Sequence, residues 1–218
     1  MTDEQLARDV SDELHWDPKV DSQPITVSAA DGLVTLHGTV GSSWQRREAT
    51  RAAQRIRGVV GVENHLEVLF GHDDRWEDAE LRGDVLQALM LDSRVPTSVE
   101  ATVKDGVVTL TGAVDWRYQR EEAEMVTDNV PGVASVQNHI VLHRPTTRPD
   151  AADVETNIRR ALMRNARLDA DAIHVTTSDT TVTLSGTVHS WDEHRAALDA
   201  AWAALGVQAV EDRLKVTY

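Results

Sequence analysis

Asp31-Gly-Leu-Val-Thr-Leu-His-Gly-Thr-Val40 returns as Asp105-Gly-Val-Val-Thr-Leu-Thr-Gly-Ala-Val114 and again as Asp179-Thr-Thr-Val-Thr-Leu-Ser-Gly-Thr-Val188, each copy 74 residues beyond the last. Apolar and polar residues alternate in each, the period of a strand with one buried face. An Asp-Gly pair ahead of such a run marks a two-residue hairpin, because a type I′ turn needs positive φ at both central residues. Thr180 replaces that glycine in the third copy, so its turn is expected to take another geometry. Gly38, Gly112 and Gly186 lie near the end of each run. A bulge, or the close approach of a second backbone, would require a glycine there.

The same step relates Gly58, Gly132 and Gly206, and it relates Asn64, Asn138 and Asp212. The chain is therefore one unit written three times. A catalytic site usually occurs once, so the repetition points to modules that bind, scaffold or space. The period exceeds that of solenoid repeats, which must stack to bury a core. A unit of about 65 residues can fold alone with a thin margin. The expected domains are 1–70, 78–143 and 150–218, joined by polar linkers at 71–77 and 144–149. The second linker carries two prolines and reads as a semi-rigid spacer.

Ahead of each hairpin, Leu6/Val10/Leu14, Leu81/Val85/Leu89 and Val154/Ile158/Leu162 recur every four residues, the stripe of an amphipathic helix. Thr2 or Asp3, Asp78, and Asp150 or Asp153 are its expected caps. A loop plugged by Val20, Val95 or Leu168 follows. After the hairpin comes a second helix (Ser43 to Arg57, Trp116 to Asn129, Ser190 to Leu205), with Ala49, Ala123 and Ala197 at its centre. Gly58, Gly132 and Gly206 are expected to end it. A third strand closes the unit: Val62 to Val68, Val136 to Leu142, Val210 to Val216. The fold class is α+β, with three tandem α-β-β-α-β units. Each is a three-stranded mixed sheet with two helices packed on one face.

Composition narrows the function. Net charge is −14, which opposes binding to nucleic-acid phosphates. Cysteine is absent, so there is neither a disulfide framework nor a thiolate metal site. No run approaches the ~18 apolar residues of a membrane span. The N-terminus is charged and lacks an apolar signal core, so the expected location is cytoplasmic. His189 and Glu193 could share a helical face, but their spacing matches no zinc-protease motif and a surface pair is expected. With no phosphate-cradling loop and no nucleophile elbow, the chain is expected to be non-enzymatic and to need no cofactor or metal.

The set Asp-Gly-x-Val-Thr-Leu-x-Gly-x-Val, a helix with a central alanine, and Gly-Val-x-x-Val-x-Asn resembles the BON domain. The tail reads Gly61-Val-Glu-Asn64 and Ala134-Ser-Val-Gln-Asn138, and it diverges to Ala209-Val-Glu-Asp212 in the third copy. The resemblance covers nearly the whole chain and implies the α-β-β-α-β fold reached above. It also implies a binding module for phospholipid or a small ligand, linked to osmotic or envelope stress in bacteria. Gly38, Gly112 and Gly186 match the family's glycine, and their role is expected to be structural.

The second helices share a core but differ in surface. Repeat one places Arg47, Arg51 and Arg55 on one face, with Trp44 at the helix start. A basic helix with an interfacial aromatic suits an anionic lipid surface, where each cation contributes about 1 kcal/mol. Repeat two carries Glu121, Glu122, Glu124 and Asp128, and repeat three is mostly apolar. The competing expectation is that these unlike faces dock the units on each other, on a protein partner or in a homo-oligomer. Trp116, Tyr118 and Trp191, near the other helix starts, complete the candidate contact residues.

Overall fold

The computed structural model describes residues 2–69, 77–143, 150–166 and 168–218. The expected linker 144–149 lies outside the described residues, and so does 71–77 apart from Glu77. Repeat one runs α1 (Asp3–Trp16), β1 (Ile25–Ala30), β2 (Leu33–Val40), α2 (Ser43–Gln54), β3 (Gly61–Val68). Repeat two runs α3 (Asp78–Leu91), β4 (Glu100–Lys104), β5 (Val107–Thr111), β6 (Ala113–Val114), α4 (Arg117–Asp128), β7 (Ser135–Asn138), β8 (Val141–Leu142). Repeat three runs α5 (Ala151–Arg164), a short 3₁₀ turn, β9 (Ile173–Ser178), β10 (Thr181–Val188), α6 (Trp191–Trp202), β11 (Ala209–Val216). Repeats one and two form one compact unit and repeat three a second.

In repeat one the middle strand β2 pairs antiparallel with β1 and parallel with β3. The helix α2 supplies the crossover that a parallel pair requires. Repeat three repeats this order. In repeat two the third strand, expected to be continuous, is divided into β7 and β8. Its hydrogen-bond ladder still continues, with His139 N donating to Leu110 O at 2.8 Å and Val141 N to Gly112 O at 3.0 Å. Inward residues of the middle strand (Val34, Leu36, Val40) meet Leu6, Val10 and Leu14 of α1 and the alanines of α2 in one cluster. All three sequence-read helix stripes are buried.

The hairpin geometry follows the turn residues. Asp31 and Gly32 have φ of 51° and 81°, and Asp105 and Gly106 have 52° and 75°, as a type I′ turn demands. In repeat three only Asp179 is positive, at 62°, so Thr180 gives the different turn expected of it. The glycines end in close approach, not in a bulge. Gly38 has φ of 126°, and a Cβ there would sit 1.9 Å from Pro24 O. Gly112 and Gly186 face Ser98 O and Ala172 O in the same way, at 2.2 and 2.0 Å.

Two local readings are corrected. The second helices stop before their glycines: α2 ends at Gln54, and the next turn tightens, with Arg55 N bonding Ala52 O and Ile56 N bonding Ala53 O. Three-residue bonds of this kind satisfy orphan carbonyls at a helix end, so Gly58 (φ 98°) belongs to the turn beyond. Thr2 and Asp150 do cap their helices. Asp78 does not; its carboxylate accepts the amides of Asp105 (2.9 Å) and Gly106 (3.1 Å), tying α3 to the hairpin turn.

Candidate functional site

Ala49, Ala52 and Ala53 of α2 are fully buried on the repeat-one sheet. Small side chains let this helix sit close, and they leave its arginines on the flanks. Each of the three stripe arginines meets a carboxylate. Arg47 donates through Nη1 to Asp128 Oδ2, across to repeat two. Ser43 Oγ donates to the other oxygen of the same carboxylate at 2.7 Å. Asp128 is the last residue of α4 and only 6% exposed. A carboxylate is disfavoured at a helix C-terminus, where the dipole is negative. The two donors from repeat one supply the compensation. Gln54 and Trp202 hold the equivalent positions in the other repeats, so this acceptor belongs to repeat two alone.

Arg51 and Arg55 stay within repeat one. Arg51 Nη1 bonds Glu48 Oε1 at 2.7 Å, and Lys19 Nζ reaches the other oxygen at 3.3 Å. Arg55 bonds Glu13 at 2.8 Å and Asp17 at 2.6 Å, bridging the end of α1 to the end of α2. Burial pushes the Asp17 carboxyl up, but the Arg55 hydrogen bond, the Lys19 amide and both cations together hold it below its ordinary value. Repeat two rebuilds part of this cluster. Arg94 takes the place of Lys19 and lies 2.8 Å from Asp92 and 2.5 Å from Glu122. Burial, more than any other cause, raises the Glu122 carboxyl; Arg94 opposes and Asp92 reinforces the shift. Glu121 pairs with Arg117 of its own helix, and Glu124 bonds Asn138 at 2.9 Å. Asp128 is thus the member of the acidic set that reaches α2.

The aromatic candidates are placed separately. Trp44 is half-buried at the start of α2. Trp116 and Tyr118 open α4 at 41% and 55% exposure. Trp191, in the other compact unit, stands edge-on to His194 with ring centroids 5.0 Å apart. Gln119 fixes the entry to α4 by accepting the amides of Asp115 and Trp116.

The repeated Asn64, Asn138 and Asp212 turn out to latch the third strand to the second helix. Asn64 Nδ2 donates to Arg46 O (2.8 Å) and Thr50 Oγ1 (2.7 Å), while its Oδ1 accepts Leu66 N (2.9 Å). Asn138 does the same with Arg120 O and Ile140 N. Asp212 cannot donate, and its partner changes accordingly: His194 Nε2 lies 2.8 Å from its Oδ2. The sequence places these residues in register without revealing the job. The clue was that position 194 departs from arginine in the same repeat in which 212 departs from asparagine.

Among the described residues no three His, Cys, Asp or Glu side chains are grouped to hold a metal, and no helix is long and apolar enough to cross a membrane. The BON domain model matches residues 2–69, 77–144 and 150–218. Osmotically-inducible protein Y of Escherichia coli (strain K12) is 31% identical over 145 residues, covering 64% of this chain and 72% of that protein. Among solved structures, CdsD, a structural protein of the type III secretion system of Chlamydia trachomatis, aligns over 96% of this chain and 91% of its own at 14% identity and a TM-score of 0.27. The PrgH periplasmic domain aligns over 90% and 96% at 12% identity and a TM-score of 0.24. Likenesses this weak carry no argument. The three family matches and the three α-β-β-α-β units coincide, and the chain belongs to the BON domain family, with three copies of the domain in tandem.

Proposed function

We propose that this chain is a non-enzymatic interaction scaffold, in which repeats one and two dock into a single protein-binding unit, acting under osmotic or envelope stress. The stress association comes from the likeness to the osmotically inducible relative. The observation that carries the scaffold reading is the convergence of Ser43 and Arg47 on Asp128. The helix best suited by composition to an anionic lipid surface spends one arginine on the neighbouring repeat and the other two on its own carboxylates. A paired arginine offers little net field to a lipid headgroup, and the overall charge of −14 opposes such a surface.

A peripheral phospholipid contact is the second reading, favoured by two exposed aromatics, Trp116 and Tyr118, at the start of α4. Co-sedimentation with vesicles containing phosphatidylglycerol, at low salt where attraction is strongest, separates the two. The scaffold reading expects the protein to stay in the supernatant. Pelleting that is lost on replacing Trp116 and Tyr118 with alanine would transfer the assignment to lipid.

A further inference from the structure

Repeats one and two differ at the seam between their two helices. In repeat one, Arg55 crosses that seam to Glu13 and Asp17. The equivalent positions in repeat two are Asn129, Ala88 and Asp92. Loss of the crossing pair leaves an open groove of about 480 Å³ between α3 and α4, walled by Ala88, Leu91, Val126 and Val130. That volume lies within the usual range for a ligand pocket. Leu91 of the wall is 78% exposed, and its chain neighbour Met90 is 83% exposed.

The polar residues at this groove are Asp84, Gln87 and Asn129, with no lysine or arginine among its walls. Asp84 makes no ion pair or side-chain hydrogen bond among the described residues. Residues 71–144 also carry the largest acidic excess of the three repeats, 14 acidic to 7 basic side chains. An anionic headgroup would meet an uncompensated carboxylate here. A cation beside an apolar anchor would meet its complement, and the free amides could bond a peptide backbone. Repeat three has alanines at both seam positions, Ala161 and Ala203, but it puts Arg160 and Arg164 where repeat two has Gln87 and Leu91.

We propose that the α3–α4 groove of repeat two is a docking site for a peptide segment presenting an apolar anchor side chain flanked by lysine or arginine. The site deepens the scaffold reading and rests on it, by giving the partner a chemistry. The apolar walls seat the anchor, and Asp84 selects the flanking charge.

The test is fluorescence anisotropy of the full chain with a labelled amphipathic peptide of leucine and lysine, against its leucine–glutamate counterpart. Binding of the basic peptide and not the acidic one is expected. The double variant Ala88→Glu/Asn129→Arg rebuilds the repeat-one crossing pair, with Asp92 already in place to receive it. It should keep the native circular dichroism and weaken the basic peptide by about tenfold or more. The variant Asp84→Lys provides a second arm and should reverse the preference between peptides. Equal affinity of wild type and the double variant, or equal binding of both peptides, would overturn the groove and leave the scaffold standing. Displacement of the basic peptide by phosphatidylglycerol vesicles that pellet the protein would overturn the scaffold reading itself.

Discussion

Arg47 of repeat one and Asp128 of repeat two form an ion pair across the repeat boundary, with Ser43 completing the carboxylate's hydrogen bonds. Removing one member of a buried pair leaves the other charged and desolvated, at a cost of about 3 kcal/mol or more. Arg47 is still partly exposed, at 24% of its side chain, so Asp128→Ala should sit near the lower end. Replacing both with apolar residues, Arg47→Met with Asp128→Leu, should recover most of the loss. Urea unfolding of the wild type, Arg47→Met, Asp128→Leu and the double variant gives the coupling energy. Additive losses would mean that the two residues act independently.

Gly38 tolerates no side chain. A Cβ would stand 1.9 Å from the Pro24 carbonyl, on a backbone with φ of 126°. Gly38→Ala should cost at least about 3 kcal/mol, since strain of this kind alone costs 1–3 kcal/mol and the clash adds to it. Gly83 is the contrasting case: it lies inside α3 with nothing within 4 Å of its would-be Cβ. Gly83→Ala should stabilise by about 0.5–1 kcal/mol. Thermal melting of both variants checks the pair of signs.

The strand latch predicts a difference between repeats. Asn64→Ala removes three hydrogen bonds, worth about 1 kcal/mol each, so a loss of about 2–3 kcal/mol is expected. In repeat three, Asp212→Asn alone should destabilise, because His194 loses its carboxylate partner. Adding His194→Arg, which restores the repeat-two arrangement, should return stability toward wild type. A loss below about 0.5 kcal/mol for Asn64→Ala would refute the latch.

Two buried carboxylates should respond to acid with opposite signs. Asp17 is held below its ordinary value, so its contribution is full above the unfolded pKa and is lost as pH falls through the folded one. Glu122 is held above its ordinary value by burial. The folded chain keeps that proton longer, so its contribution declines as pH rises through the same acidic window. At neutral pH, Asp17→Asn should therefore lower the melting temperature and Glu122→Gln should raise it. Melting curves from pH 3 to 7 decide the matter, and a shift of the same sign in both would contradict the assignment.

How much of this was legible in the sequence depends on the range of the interaction. The helix stripes, the Asp-Gly turns of repeats one and two and the need for glycine at position 38 are set by neighbours within one repeat, and the 74-residue echo makes them readable more than once. The end of α2 at Gln54 was not, because Gly58 suits a helix stop and an ordinary turn equally well. Arg47 reads as one of three cations on a helix face, with no partner named. Its partner lies 81 residues away, in another repeat whose orientation no local pattern encodes. Glu122 reads as one of four acidic residues on the second helix of repeat two. Only its register with Glu48, and that of Arg94 with Lys19, hints that the position faces a buried seam.

The docking of repeats one and two is the claim on which the scaffold rests, and the lack of native cysteine makes it open to direct measurement. Ser28 on β1 and Lys104 on β4 are exposed, one in each repeat, and can be replaced by spin-labelled cysteines. Pulsed electron–electron resonance on the full chain should give one narrow distance distribution, which Asp128→Ala broadens. A broad distribution in the otherwise unaltered protein would mean that the two repeats move independently, and would contradict the account.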